Sequence, residues 1–396
     1  MGNSQSVDTP RHASLPTINS RDHTGAPTRI PRSISSHTSS KSSSTFSKFS
    51  SARRLSADTV PSTTIHPLQH SSKHLSPYSL SAETSRRTSS SSSRRPSPNP
   101  SLIALNSPSP EPEKYVWVAG RRFHNVEGSE YLYPCDEEEI DRLHVMHFMV
   151  RFAIQGNYLA PVSDSLRNGA AVLDVACGPG SWSMEMAGEY PKAELVGIDM
   201  TSMFPSEIKP PNCQFIRANI TQPLPFDDSS FDYVFMRFVN MGIEVEQWDT
   251  VIRELFRVAK PGAWIELVEA DVERYRVGPC TRDFDTKLAE VLRGRNMDPF
   301  ASRNLDKLLI KHGLINVKRT FISSPAGEWA GKLGQLTLQS WKANFEALKP
   351  QLCLAWNISE EQYQALTSAC LSEADIHKSY ENIHFAYGQK KPAQRD

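Results

Sequence analysis

The sequence predicts an α/β fold: a doubly wound, mostly parallel sheet with a helical cap and insertion, behind a disordered N-terminal tail. Three observations carry that expectation. The apolar run Ala171-Val-Leu-Asp-Val175 ends in a glycine loop, Gly178-Pro-Gly180. Further apolar runs follow at intervals that leave room for helices, and each closes on a polar residue: Asp199, Asn219, Arg237 and Glu269. Residues 1–112 are dominated by Ser, Thr, Pro, Arg and His, and cannot bury enough apolar surface to offset their ordering entropy.

The whole chain of 396 residues is neutral, with 44 Lys or Arg against 44 Asp or Glu. Residues 1–112 hold 13 basic against 5 acidic residues, a surplus of +8, which leaves 31 against 39, or −8, for the rest. A basic tail therefore precedes an acidic body. The opening Met-Gly-Asn-Ser-Gln-Ser fits the N-myristoylation pattern, with Gly2 as acceptor and Ser6 in the hydroxyl position. One acyl chain gives only marginal membrane binding, so an anionic membrane surface would be held jointly by Gly2 and the basic tail. Arg53-Arg-Leu-Ser56, Arg86-Arg-Thr-Ser89 and Arg94-Arg-Pro-Ser97 suit kinases that read two arginines before a serine, and phosphate there would cancel local charge.

Basic residues come in pairs and not in a run, so no specific nucleic-acid site is expected and a nuclear location is the alternative. With no signal-peptide core and no run of about 18 apolar residues, the expectation is a cytoplasmic protein, peripheral at a membrane at most. Six scattered cysteines without a Cys-x-x-Cys pair read as reduced thiols, with no metal site.

Order is expected over residues 113–390. Residues 115–124 alternate enough for a short edge strand. Asp136-Glu-Glu-Glu139 reads as a capping box opening a helix, whose stripes Ile140, Leu143, His147, Val150, Ile154 and Val145, Met149, Phe152 require cover on most sides. His147 reads as a satisfied core histidine. Then come the strand at Val172, the strand ending at Asp199, the run Gln214-Phe-Ile-Arg-Ala-Asn219, and Phe231-Asp-Tyr-Val-Phe-Met-Arg237. A helix over 248–259, with Val251, Leu255 and Val258 on one face, is stopped by Lys260-Pro-Gly262 before the strand Trp264-Ile-Glu-Leu-Val-Glu269. Helices over 284–293 and 305–312 lead to a strand over 314–322. Residues 323–378 read as a helical insertion, with a capping box at Ser359 and Gln362, and a last strand covers 380–387. Trp329, Trp341 and Phe345 could roof a substrate pocket or pack a small core of their own.

Charge selects the ligand of the core, residues 170–270. Gly178 and Gly180 would let the backbone approach it, and Asp199, 19 residues after Gly180, would hydrogen-bond a ribose. Asp174 would repel a dinucleotide's diphosphate, and Ser183 stands where the dinucleotide fingerprint wants glycine or alanine. S-adenosylmethionine (SAM), with an ammonium, a sulfonium and no phosphate, suits that carboxylate. Asn219 could accept from the adenine amine. Glu269 and Arg237 are the catalytic candidates, Glu269 as a base.

These runs resemble the class I SAM-dependent methyltransferases. Val172-Leu-Asp-Val-Ala-Cys-Gly-Pro-Gly180 looks like the first motif, Ile198-Asp-Met200 the acidic loop and Ala218-Asn-Ile220 the adenine motif, although Ala263 replaces a usual glycine after Lys260-Pro-Gly262. More narrowly, residues 131–143, Tyr233-Val-Phe-Met-Arg237 and Trp264-Ile-Glu-Leu-Val-Glu269 resemble the fungal LaeA-like secondary-metabolism regulators. The resemblance implies a Rossmann-like, seven-stranded sheet ending in an antiparallel hairpin. It also implies a cofactor site of Asp174, Ala176, Gly178, Gly180, Asp199, Met200, Asn219 and Ile220, and methyl transfer to an unidentified acceptor, small molecule or protein. A SAM-binding regulator with weak or no transferase activity, and an NAD-dependent oxidoreductase, are the alternatives.

Overall fold

A computed structural model describes residues 113–393. Gly2, Ser56, Ser89 and Ser97 lie outside them. The first described element is a hairpin of its own: β1 (Tyr115–Val118) pairs antiparallel with β2 (Arg121–His124) through a turn at Ala119 and Gly120, both at positive φ. Helix α1 (Glu137–Ile154) opens on Asp136, whose carboxylate accepts from Glu139 N at 3.1 Å and from Arg121 at 2.7 Å. The reciprocal half of the expected capping box does not form. Glu139 is fully buried and turned to Arg142, at 2.7 Å through both oxygens, an ion pair that offsets the burial of its charge. Nor is α1 covered on most sides, since Phe148 and Phe152 are exposed.

After α2 (Ser163–Arg167) the chain alternates as expected: β3 (Ala171–Val175), α3 (Ser181–Glu189), β4 (Glu194–Asp199), β5 (Cys213–Arg217), β6 (Phe231–Arg237), α4 (Gln247–Val258) and β7 (Ala259–Ala270). Lys260-Pro-Gly262 is not a turn ahead of the strand but part of it. Ala259 pairs with Phe231 and the Gly262 N–H bonds to Lys390 O at 2.9 Å, with the register slipping between Phe231 and Tyr233. Helices α5 (Pro279–Gly294) and α6 (Leu305–Lys311) precede β8 (Ile315–Pro325). The insertion follows as α7 (Gly331–Trp356) and α8 (Glu360–His377), the latter opened by a complete Ser359–Gln362 capping box, and β9 (Tyr380–Gln389) closes the chain.

The seven strands lie in the order β5-β4-β3-β6-β7-β9-β8, parallel except for β9, which runs antiparallel to both neighbours. Both faces of the inner strands β3, β4, β6 and β7 are buried, which is why these strands read as apolar runs, while the edge strand β8 is largely exposed. One face packs Val251, Leu255 and Val258 of α4 with Leu305 and Leu309 of α6; the other packs Trp182 and Met186 of α3 with Met149 and Val150 of α1. A third apolar cluster joins α5 to α7 and α8 around Phe284, Phe345, Trp341 and Tyr363.

Glu266, in mid-strand on β7, is fully buried. It accepts from Leu159 N at 2.9 Å, Ala160 N at 2.7 Å and the Tyr233 hydroxyl at 2.9 Å, so the loop after α1 is tied to the sheet through one carboxylate. Trp182 stacks on Phe235 at 4.1 Å between centroids and donates its indole N–H to Asn157 O at 2.7 Å. Trp182→Ala should cost roughly 3–5 kcal/mol, from lost burial and the cavity left behind. Urea unfolding measures it, and a loss below about 1 kcal/mol would show that α3 is not anchored there.

Candidate active site

The sheet's order reverses between β3 and β6, and a crevice outside the carboxyl ends of the strands at such a point is where α/β sheets bind ligands. A cleft lies there. Ala176, Cys177 and Gly178 line it from the loop after β3, Asp199 and Met200 from the end of β4, Asn219 and Ile220 from beyond β5, and Arg237 from the end of β6. Leu143 and Met146 close it from α1, which therefore caps the crevice as expected.

Asp199 joins the two loops. One of its oxygens accepts from Gly178 N at 2.9 Å, the other from Thr201 N and Oγ1 at 3.0 Å each. Burial pushes its pKa up while these donors pull it down. Asn219 departs from its expected role. Its carbonyl oxygen already accepts from Thr221 N at 3.0 Å and Thr221 Oγ1 at 2.9 Å, so what remains for a ligand is the amide N–H, a donor and not an acceptor.

Two residues of the glycine-loop motif lie behind the cleft. Asp174 is buried and accepts from Ser183 Oγ at 2.6 Å, with burial pushing its pKa up to about 7. Gly180 sits at φ +75°, and a Cβ there would lie 2.4 Å from the Phe215 ring, so the missing side chain makes room for an aromatic and not for a ligand. Gly178, at φ +54°, does line the cleft.

The two catalytic candidates separate. Glu269 is buried and accepts from Val239 N at 2.8 Å, and its other oxygen finds no partner among the described residues. It is absent from the cleft's lining, and burial pushes its pKa up to about 8. Arg237 lines the cleft and donates to His147 Nδ1 at 2.9 Å, while His147 Nε2 meets Glu185 at 2.8 Å. Burial, then the charges of Arg237 and Arg151, holds the imidazole down near pKa 3. A neutral ring accepting at Nδ1 must donate from Nε2, so His147 is the satisfied core histidine the sequence suggests.

Sequence reasoning passed over Ser181 and His124, which also line the cleft; Ser181 Oγ and His124 Nδ1 are buried without a partner. The only available signal for Ser181 was its place directly after the glycine loop, at the first turn of α3. A second, smaller cavity shares Met146 and Phe238 with the first and is lined by Ser340, Trp341 and Asn344 of α7 together with Tyr133 and Glu381. Of the three aromatics expected to roof a pocket, only Trp341 does so, donating to Glu381 at 2.7 Å. Phe345 packs on Phe284 in the insertion's own core, and Trp329 is exposed.

Residues 172–262 match the family model described as a methyltransferase domain. The secondary metabolism regulator LAE1 of Cochliobolus heterostrophus is 31% identical over 232 residues, which make up 56% of this chain and 74% of that protein. The chain belongs to the LaeA-like group of class I SAM-dependent methyltransferases. The protein-methionine methyltransferase laeA of Emericella nidulans is 29% identical over 321 residues, covering 74% of this chain and 81% of the relative. Among solved structures, Haemonchus contortus phosphoethanolamine N-methyltransferase 2 in complex with SAM gives a TM-score of 0.40 at 16% identity, over 69% of this chain and 62% of that one, a likeness too distant to bear on function.

The cleft of this LaeA-like chain fits SAM. Its charged lining residues are Asp199 and Arg237, one carboxylate and one guanidinium, and no cluster of basic groups is present to hold a diphosphate. The family sets aside the NAD-dependent oxidoreductase. Asp199 would hold the ribose hydroxyls, and the loop at Gly178 would pass beside the methionyl part. When bound, SAM supplies a methyl group already activated by its sulfonium. The chain has only to hold the two reactants in line and keep water out, which Leu143 and Met146 of α1 serve.

The Glu269 carboxyl titrates near 8 in the folded protein against an ordinary 4.5, so the native state binds its proton more tightly and stability falls as pH rises between those values. Glu269→Gln removes that loss. It should be more stable than wild type by on the order of 1–3 kcal/mol at about pH 9, and close to wild type at about pH 5. Denaturant unfolding at both pH values is the check, and an unchanged difference between them would refute the assignment.

Proposed function

We propose that this LaeA-like methyltransferase moves the SAM methyl group to an acceptor that reaches the cleft from the cavity beneath α7, and that it acts in the regulation of secondary metabolism. The observation behind this reading is that Met146 and Phe238 line both cavities: a cofactor in the first and an acceptor in the second would face each other across these two side chains. The regulatory role rests on the relatives, several of which are named as secondary metabolism regulators.

One relative is named a protein-methionine methyltransferase, so a thioether is the acceptor to try first. The sulfur forms a bond to the methyl carbon as the bond to the SAM sulfur breaks, S-adenosylhomocysteine leaves, and the positive charge passes to the new sulfonium. No proton is released. An acceptor of this kind asks for no base, in keeping with a Glu269 turned away from the cleft and a His147 engaged at both nitrogens.

The test is incubation of the protein with methyl-labelled SAM and either a methionine-containing peptide or a fungal cell extract, followed by separation of protein from small molecules. Label confined to small molecules would remove the side-chain acceptor, and no transfer to any fraction would favour the regulator without transferase activity. Asp199→Ala should weaken S-adenosylhomocysteine binding by roughly 1–3 kcal/mol in calorimetry, since it unties Gly178 and Thr201 as well as the ribose. Ser340→Leu, which narrows the second cavity, should leave that affinity intact and lower transfer. Equal transfer in this variant would take the acceptor out of that cavity.

A further inference from the structure

Arg237 is a half-buried cation that has no anion in ion-pair contact among the described residues. Its guanidinium lines the cleft, its hydrogen bond goes to a neutral imidazole, and among the described residues no carboxylate lies within ion-pair distance of it. Asp174 and Glu185 act on it only through space, and Glu185 is engaged by His147 and Arg151. Burial lowers its pKa to about 10, which leaves it charged at neutral pH. A charge partly withdrawn from water without a counterion is costly, and on a cleft wall that cost is offset when a ligand brings the counterion. His147 keeps the guanidinium in place without neutralising it: the ring is held neutral, its Nδ1 takes one N–H of Arg237, and Glu185 fixes the ring from the other side.

A second, independent observation lies in the same cleft. Ser181 opens α3, a helix of nine residues, directly after the Gly178-Pro-Gly180 loop, and its hydroxyl is buried with no partner. The N-cap residue Gly180 brings no side chain to this helix; Asp174 meets Ser183 in its first turn, and the N–H groups ahead of Ser183 add positive potential there. Arg237, Ser181 and the α3 N-terminus thus offer a charge-assisted donor, a hydroxyl and a helix end to an anion.

We infer that Arg237 and Ser181 form a carboxylate clamp that recognises the amino-acid end of the cofactor, so that Arg237 is a cofactor-positioning residue and not a contact for the methyl acceptor. The inference rests on the SAM reading of the cleft and extends it. SAM and S-adenosylhomocysteine carry one carboxylate, at the end of the molecule opposite the adenine, and the cleft's two charged side chains divide in the same way, Asp199 for the diol and Arg237 for the carboxylate. Held at both ends, the cofactor cannot slide along the cleft, which fixes where its sulfur lies.

The test compares two probes by calorimetry on the full chain: S-adenosylhomocysteine, and its decarboxylated analogue, which keeps the adenosine, thioether and ammonium. Wild type should prefer the carboxylate form by roughly 10- to 100-fold, in the range of a charge-assisted pair. Arg237→Gln should bind the two about equally, with the loss falling on S-adenosylhomocysteine alone. Arg237→Lys should keep part of the preference, as a point charge without the guanidinium fork, and Ser181→Ala should lose part of it. These two milder variants decide the matter should Arg237→Gln fail to fold. Equal affinity of wild type for both probes, or an equal loss for both in Arg237→Lys and Ser181→Ala, would overturn the clamp. A wild type that binds neither probe would instead overturn the SAM reading beneath it.

Discussion

The cleft depends on how one aromatic ring is seated. Phe215 of β5 lies where a side chain on Gly180 or on Gly197 would otherwise be: a Cβ at either position would come within 2.4 to 2.6 Å of it. Phe204 stacks on its outer face at 5.1 Å. The ring therefore wedges between a strand and the loop that follows a different strand, and presses the loop's last residue into a conformation that only glycine holds without strain. From that seating follow the direction of α3, the position of Ser181 and the reach of the Gly178 N–H to Asp199. In a close-packed interior a displaced ring is felt by every neighbour, so the ligand-facing groups are set by a contact that touches no ligand.

Much of this was legible in the sequence. The strands of a sheet buried on both faces are apolar runs, and the polar residues that end them mark the ligand side, so the strands and the crevice could be read from Val172, Asp199 and Arg237 with the helices between. The capping box at Ser359 and the boundaries of β6 were readable for the same reason: the signals are local. What resisted reading was long-range. Glu266 looks like one more residue of an apolar strand, because its partners are backbone N–H groups of Leu159 and Ala160, over a hundred residues away. Gly180 was legible as a glycine that must be glycine, but not as one demanded by Phe215. Asp174 and Glu269 end their runs as Asp199 does, yet pleating and local donors turn them inward to Ser183 and Val239. Residue type and spacing place a side chain at the end of a strand, and the fold decides which way it faces.

Charge organises the interior as firmly as apolar contact does. Burial pushes Asp174, Glu266 and Glu381 up to about 7, and each is held by hydroxyl, amide or indole donors with no cation in direct contact. Asp271 behaves oppositely. Ser302, Tyr275 and Arg303 all donate to it, and it is held well below the usual carboxylate range. The two arginines of the second cavity, Arg142 and Arg274, are matched by Glu139 and Asp285. Arg237 is set apart from them by the want of such a partner.

The position of the insertion has a bearing on how such a chain diversifies. Helices α7 and α8 leave the sheet after β8 and return at β9, two antiparallel neighbours that stay in register from Lys318 and Tyr387 to Pro325 and Tyr380 whatever lies between them. The half of the protein that handles the cofactor, β3 to β6 with their loops, lies outside that excursion in the sequence and meets it at Phe238 and Met241. Mutation can therefore rework the roof over the second cavity, changing what is admitted, while the donor half is inherited intact. A lineage built in this way can exchange acceptors without rebuilding the donor site.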